Sequence, residues 1–150
     1  MDKTNGAHPI LERNRQIIEQ YFYEVWNAGN LDKLEDLITP DYINHSPSTT
    51  NPEPGPTGLK PIIAAMRAAF PDLNYQIEDL VITEDKIVAR VIMRGTQSGD
   101  FFGLPPTNKK VEVSQMNIEA IRDGKISQHW RVTDELKLMQ QLGIVGGCLG

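Results

Sequence analysis

Polar side chains alternate with apolar ones along the last two predicted strands, residues 111–121 and 125–133. Because successive strand side chains point to opposite faces, His129 and Arg131 share one face of the last strand. A neutral imidazole can accept a proton at physiological pH, so His129 is a candidate general base. A guanidinium cannot act as a base there, so Arg131 would instead hold an anion or an oxyanion.

The preceding strand offers a second set of polar side chains. Alternation places Gln115 and Asn117 on the same face as Val111, Val113 and Glu119. Polar residues on the core-facing side of a strand are unusual. Gln115 and Asn117 are therefore either pocket-lining groups that orient a substrate or solvated groups at the edge of the sheet. Their position in the middle of the strand favours the pocket.

Helices must position these strands. Apolar residues at three-to-four spacing predict a first helix from Pro9 to about Asn27, with Gly29 as a left-handed cap. A short helix over 31–38 follows, and a third helix over 57–70 comes after a loop that holds four prolines.

The second half of the chain changes to strand periodicity. Its final hairpin turns at Asp123 and Gly124, a pair typical of tight turns, and a short helix over 134–142 follows. The predicted strands cover residues 41–45, 73–78, 87–94, 111–121 and 125–133. This order predicts an α+β fold with helices on one face of an antiparallel sheet. We expect one domain over 1–150, with its core at about 9–142 and flexible tails at 1–8 and 143–150.

Composition excludes several classes of function. A net charge of −5 without a basic stripe argues against nucleic-acid binding, and no apolar run is long enough to span a membrane. The single cysteine, Cys148, cannot form an internal disulfide, and we interpret it as incidental. The start of the chain lacks the features of a signal peptide, which favours a cytoplasmic location. Nucleotide, zinc and covalent-nucleophile motifs are absent from the sequence, so we expect no cofactor and no metal.

Six short phrases occur together in order. They are YEVWNAGN from Tyr23, DYINH from Asp41, GLK from Gly58, FPDL from Phe70, GT followed by FGLPPT between 95 and 107, and DGKI before HW between 123 and 130. In order and spacing, the chain resembles the SnoaL-like polyketide cyclases from about residue 11 to 142. The resemblance implies the nuclear-transport-factor-2-like architecture, in which a sheet and helices form a cone with a pocket at its mouth.

The family resemblance also implies a chemistry. These cyclases close a ring of a polyketide ester by intramolecular aldol chemistry, without metal or organic cofactor. Their acid/base is an Asp on the last strand, two residues after a His; His129 matches that His, but Arg131 occupies the place of the Asp. The cyclases carry Gln and His where this chain has Gln115 and Asn117, and an Asn that faces the pocket where it has Asn44. The resemblance implies that Gln115, Asn117, His129 and Arg131 point into the cone.

Each candidate has a second interpretation. His129 is either an acid/base or a structural polar residue. Arg131 either binds an anion or pairs with Glu119 or Asp134, and Asp134 is more simply a helix cap. Asn44 and His45 either bind substrate or anchor the loop that follows them. The aromatic residues of the first helix are core residues, or one of its phenols reaches the pocket. The loop over 100–106 is either a lid over the pocket or a packed part of its rim.

Three functions remain open at this point. The first is a cofactor-independent lyase, isomerase or cyclase acting on a small hydrophobic ketone or ester. The second is a non-catalytic protein that binds a small molecule, and the third is a hydrolase or dehydratase that uses the same pocket. Trp130 and Val132 face away from the predicted pocket, and the sheets of this family pair on that side, so we also expect a homodimer.

Overall fold

The computed structural model describes residues 8–146. The expectations for Cys148, for residues 1–7 of the first predicted tail and for residues 147–150 of the second lie outside the described residues. The second predicted tail begins at residue 143, but its first residues are bonded to the last helix. The Ile144 N–H donates to the Met139 carbonyl at 3.0 Å. Within 8–146, no helix is both long and apolar enough to cross a membrane.

The helices largely follow the predicted pattern. The first helix changes character at Tyr21 and continues as a π-helical segment, and the short second helix begins with a 3₁₀ turn. Asp134 caps the last helix as predicted, since the Lys137 N–H donates to its carboxylate at 3.2 Å. The segments are α1 (Pro9–Gln20), the π segment (Tyr21–Asn27), the 3₁₀ turn (Leu31–Lys33), α2 (Leu34–Leu37), α3 (Pro56–Ala69) and α4 (Glu135–Gln141).

Five strands form one sheet in the order β1-β5-β4-β3-β2. Their bounds are β1 (Ile38–Asn44), β2 (Asn74–Ile82), β3 (Lys86–Thr96), β4 (Lys110–Arg122) and β5 (Lys125–Thr133). The α+β class is confirmed, but the sheet is mixed, because β1 pairs in parallel with β5 while the other pairs are antiparallel. β1 also begins at Ile38 rather than Asp41, which is possible because an edge strand tolerates Pro40.

The inner face of the sheet carries the residues predicted to share it. Alternate positions of β4 are buried from Val111 to Glu119, and Gln115 and Asn117 are among them. The predicted strand parity is therefore confirmed. Asn27 fixes the end of the π segment to the sheet, because its side chain accepts from the Tyr75 N–H at 2.7 Å and donates to the Tyr75 carbonyl at 2.9 Å.

Candidate active site

A cavity of about 570 Å³ opens between the sheet and the helices. This volume suits a small organic molecule. Its apolar walls include Trp26, Met66, Tyr75, Met93, Phe101 and Leu138. Its polar lining is Ser48, Gln115, Arg131, Thr133 and Glu135. The described structure thus brings together Gln115 and Arg131, two of the six residues predicted for the site.

Beneath this lining, the inner face of the sheet continues into a buried polar layer. Asn117 is opposite Arg131 in the register of β4 and β5, and Glu119 is opposite His129. Asn117 and His129 are each 2% exposed and Glu119 is fully buried. Along their strands these three residues lie two to four residues from the cavity-lining Gln115 and Arg131, and none of them is part of the lining.

Glu119 and His129 form a buried pair. Nδ1 of His129 is 2.7 Å from Oε1 of Glu119. When Glu119 is ionised its carboxylate can only accept, so in that state the contact requires the ring proton on Nδ1 and leaves the lone pair on Nε2. Burial raises the pKa of Glu119 above the ordinary carboxyl value, and the neighbouring charges of His129 and Arg131 oppose that rise.

Three buried phenols lie on the elements around this layer: Tyr21 on the π segment, Tyr42 on β1 and Tyr75 on β2. Tyr21 and Tyr42 are buried, and burial is the main cause that raises the pKa of both hydroxyls. The negative charge of Glu119 raises both values further. Burial raises the pKa of Tyr75 to about 12, against the opposing charge of Arg131. The three phenols therefore stay protonated at neutral pH and can act as hydrogen-bond donors.

Arg131 has no carboxylate partner within 4 Å among residues 8–146. The two pairings considered for it, with Glu119 and with Asp134, are both wrong. Its Nη2 instead donates to the Ser46 carbonyl at 3.1 Å and to Ser48 Oγ at 3.4 Å. A guanidinium that lines an apolar cavity with only neutral acceptors is suited to bind an anionic oxygen.

His45 lies on the opposite side of the sheet from the cavity. Its ring stacks on Trp130 with centroids 4.7 Å apart, and its Nε2 lies 3.0 Å from the Gln128 side-chain oxygen. Asn44 closes a local turn instead, because its side chain accepts from the Ser46 N–H at 2.9 Å. The structure does not bring Asn44 or His45 to the cavity lining. Both contacts match the loop-anchor interpretation.

The loop after β3 reaches the cavity, with Phe101, Phe102 and Leu104 in its lining. Gln97 holds this loop from beneath. The fully buried Gln97 amide donates to the carbonyls of Gly99, Leu104 and Pro105, and its oxygen accepts from the Thr107 N–H and Oγ. Sequence reasoning missed Gln97, because a single glutamine after a strand gives no periodic signal.

Four buried polar atoms at this end of the molecule have no hydrogen-bond partner among residues 8–146. They are Trp26 Nε1, Tyr42 Oη, Asn117 Nδ2 and Glu119 Oε2. Buried polar atoms in folded proteins are almost always paired, so these four identify an unusual region. No group of three or more His, Cys, Asp or Glu side chains in this part of the chain could hold a metal ion. The absence of a cofactor stays a prediction.

The fold and the cavity define a class of α+β proteins that enclose small molecules between a sheet and its helices. Comparison with known sequences identifies the particular family. The model of the SnoaL-like polyketide cyclases matches residues 16–142. The chain belongs to this family, which confirms the resemblance seen in the six phrases.

Individual relatives agree with this assignment. The chain is 28% identical over 120 residues to nogalonic acid methyl ester cyclase of Streptomyces nogalater, covering 79% of this chain and 89% of that enzyme. Among solved structures, TsrD from Streptomyces laurentii superposes with a TM-score of 0.81 at 28% identity, covering 97% of this chain and 99% of TsrD. IdmH from Streptomyces antibioticus has a TM-score of 0.74 at 33% identity over 86% of this chain and 97% of IdmH. The nuclear-transport-factor-2-like fold is confirmed by these neighbours.

Proposed function

We propose that this protein is a cofactor-independent cyclase that acts on a small hydrophobic ketone or ester. The observation that carries the proposal is the buried contact between Glu119 and His129, on the same sheet face as the cavity-lining Gln115 and Arg131. Family membership supports the same class of chemistry. The name of the nogalonic acid methyl ester cyclase further supports a polyketide ester as the type of substrate.

In this proposal His129 is the general base. Because His129 lies below the cavity lining, the substrate must extend past Arg131 to reach it. There Nε2 takes a proton from the carbon next to a substrate carbonyl, and the resulting enolate oxygen accepts hydrogen bonds from Arg131. The enolate carbon then attacks a second carbonyl of the same molecule, which forms the new carbon–carbon bond. The alkoxide formed there takes the proton back from the imidazolium, so the reaction needs no other reactant.

Glu119 acts through His129 and is a positioning residue. Its carboxylate holds the Nδ1–H and so presents the lone pair of Nε2 to the substrate. When the imidazolium forms, the same carboxylate supplies the opposite charge. The cyclases carry an aspartate at the position of Arg131. In this chain Glu119 supplies a carboxylate beside the acid/base His129 instead.

The remaining predicted site residues have supporting roles. Gln115 lines the cavity, where its amide lies 4.0 Å from the Met93 sulfur and near the Tyr75 hydroxyl. From there it can also hydrogen-bond to a substrate carbonyl. Asn117 is part of the buried layer below and would contact only the deepest part of a substrate. Asn44 and His45 support the loop from Ser46 onward, whose carbonyl and hydroxyl groups hold Arg131.

Deuterium exchange tests this proposal without knowledge of the natural substrate. Aryl-substituted β-keto esters would be incubated in D₂O, and exchange next to the carbonyl would be followed by NMR above the buffer rate. We expect exchange with the wild type and its loss in His129→Ala and Arg131→Ala. His8→Ala is the matched control, because it removes an exposed histidine before α1 whose side chain makes no cap hydrogen bond. Exchange that survives His129→Ala would overturn the role of His129, and no exchange on any ester would favour a binding protein.

We further propose that the protein is a cytoplasmic homodimer that pairs through the outer face of the sheet. The support is a strip of exposed apolar side chains on β1, β5 and β4, which comprises Ile43, Met116, Ile118, Trp130 and Val132. Exposed apolar patches of this kind commonly mark protein interfaces. A sequence with a single cysteine fits a reducing compartment.

A further inference from the structure

We propose that Arg131 is the centre of a carboxylate-binding site inside the cavity. The ligand class is a hydrophobic, ring-bearing molecule whose carboxylate lies against the guanidinium. The inference rests on the proposed function, because it specifies the substrate class for the same cavity. It makes the substrate a hydrophobic ketone or ester that also carries a free carboxylate group.

The first support is the contrast between Arg131 and other basic side chains. Arg131 is half-buried, yet it has no carboxylate within 4 Å among residues 8–146. Charged groups that leave bulk water are normally paired, so this guanidinium lacks a counter-charge that a ligand can supply. Six basic side chains that are 31–52% exposed each have such a partner; they are Arg15, Lys33, Lys60, Arg90, Arg94 and Arg122.

Arg67 shows how a half-buried arginine is satisfied without a carboxylate. Its Nη1 donates to the Trp26 and Asn27 carbonyls at 2.7 and 2.6 Å, at the end of the π segment. The C-terminal end of a helix carries partial negative charge, which suits a cation. Arg131 lies on a strand and has no such helix end against its side chain among the described hydrogen-bond partners.

The second support is that Arg131 is held in place without being neutralised. Its backbone N–H donates to Ser46 Oγ at 2.9 Å. Its Nη2 donates to the Ser46 carbonyl at 3.1 Å and to Ser48 Oγ at 3.4 Å. These acceptors are all neutral, so they fix the guanidinium and leave its charge unbalanced. A carboxylate that binds there does not have to order the side chain first.

The third support is the chemistry of the surrounding lining. Ser48, Gln115 and Thr133 line the cavity with Arg131, and each of them can donate a hydrogen bond to a carboxylate oxygen. Within residues 8–146, Glu135 is the one carboxylate of this lining. It is exposed at the first residue of α4, so solvent and salt screen its charge. The inner part of the lining therefore favours an anion.

The walls define the rest of the ligand. Trp26, Tyr75 and Phe101 bring aromatic side chains to the same cavity as Arg131. The charge of Arg131 opposes the rise in the pKa of Tyr75, so its field acts on this wall as well. A ring that packs against these side chains can place a carboxylate at the guanidinium.

The carboxylate and the enolate oxygen of the proposed reaction can share this guanidinium. A guanidinium carries five N–H donors, and both side-chain hydrogen bonds of Arg131 within residues 8–146 come from Nη2. Nε and Nη1 therefore remain for the ligand. The cyclases carry an aspartate at this position, and an aspartate repels a carboxylate. The exchange of charge thus separates the specificity of this chain from theirs.

A matched pair of inert probes tests the site without any reaction. 2-Naphthoate and 2-naphthamide have the same ring system and nearly the same shape, but only the first is an anion at neutral pH. We expect calorimetric titration of the wild type to show about tenfold or more tighter binding of 2-naphthoate, because a charge-assisted hydrogen bond contributes more than a neutral one. In Arg131→Gln the preference should disappear, and in Arg131→Asp it should reverse.

Arg122→Gln is the matched control, because it removes the same charge from an exposed side chain that pairs with Asp41. It should keep the preference of the wild type. Equal affinity of the wild type for both probes, or binding of neither, would overturn the site. A preference that survives Arg131→Gln, or one that is lost equally in Arg122→Gln, would overturn it too.

A second measurement locates the probe. The sequence has two tryptophans; Trp26 lines the cavity, whereas Trp130 stacks on His45 on the other side of the sheet. In ¹⁵N-labelled protein, 2-naphthoate should shift the indole N–H signal of Trp26 and leave that of Trp130, which Trp130→Phe identifies. The opposite pattern would overturn the location. Neither probe has a hydrogen on the carbon next to its carbonyl, so the carboxylate site can fail while deuterium exchange succeeds, and the reverse.

Discussion

The side chains of Glu119 and His129 are only 1% and 3% exposed, and they meet at 2.7 Å across neighbouring strands. A carboxylate in such a place is held by one imidazole contact while its second oxygen lies unpaired among residues 8–146. Its ionisation is therefore coupled both to folding and to the protonation of the proposed base. This coupling gives the first prediction.

Stability should depend on pH through Glu119. Because burial raises the pKa of Glu119 above its ordinary value of 4.5, the folded protein holds this proton more tightly than the unfolded chain. The free energy of unfolding of the wild type, relative to that of Glu119→Gln, should therefore be highest below pH 4.5. This difference should be lost as the pH rises through the raised pKa of Glu119 in the folded protein. Urea unfolding of both proteins across this range measures the difference. Glu78→Gln, an exposed change on β2, should show no such trend, and a parallel trend there would contradict the assignment.

Replacing Gln97 should loosen the loop that lines the cavity. Gln97→Leu removes five hydrogen bonds from a fully buried side chain, and the Gly99 and Pro105 carbonyls lose their side-chain donor. We expect a loss of about 3 kcal/mol in the free energy of unfolding. Amide hydrogen exchange over residues 98–109 should rise more than in β2, and ligand affinity should fall. Gln76→Leu, which removes an exposed glutamine bonded to Arg94, is the control; equal effects of the two changes would show that Gln97 has no special role.

Gly58 should resist replacement even by alanine. A Cβ at this buried helical position would lie 1.7 Å from the Glu53 carbonyl oxygen, so the loop from Ser46 to Gly55 would have to move. Alanine normally stabilises a helix interior by about 1 kcal/mol over glycine. Here we expect Gly58→Ala to destabilise by about 2 kcal/mol or more, because backbone must shift. Thermal unfolding measures this change, with Ala65→Gly as the reference for propensity alone; a stabilised Gly58→Ala would refute the close approach.

A charge on the outer face should separate the proposed dimer. Val132 is 73% exposed and is the register partner of Met116, so Val132→Asp should leave the fold of one chain intact. Sedimentation at micromolar concentration should show a dimer for the wild type and a monomer for Val132→Asp. Leu136→Asp changes an exposed apolar side chain of α4 and should remain dimeric. A monomeric wild type would refute the proposed assembly.

Much of the inner face could be predicted because strand parity is a strong local signal. It placed Gln115, Asn117, His129 and Glu119 on the buried face, and the structure agrees. The contact between Glu119 and His129 could not be predicted in the same way. It depends on the register of β4 against β5, which shifts at an irregularity near Ala120. Sequence alternation does not reveal such a shift.

Other misses come from contacts between segments distant in sequence. Arg131 is held by Ser46 and Ser48, about 85 residues away, so no local pattern indicates its partners. The stacking of His45 on Trp130 likewise depends on the parallel pairing of β1 with β5. The apolar spacing of the π-helical segment is close to the α-helical repeat, so the sequence predicts an ordinary helix there.

The parallel pairing of β1 with β5 also has a consequence for folding during synthesis on the ribosome. β1 is an edge strand, and its only neighbour in the sheet is the last strand of the chain. Asn44 can pair only after His129 has been synthesised, which at ribosomal speeds of roughly 5–20 residues per second takes about 4 to 17 seconds. During that interval β1 has no strand to pair with, although β2, β3 and β4 emerge before β5 and can pair with one another. The facing edges of β1 and β4 stay open until β5 emerges, so the nascent protein should depend on chaperones until then.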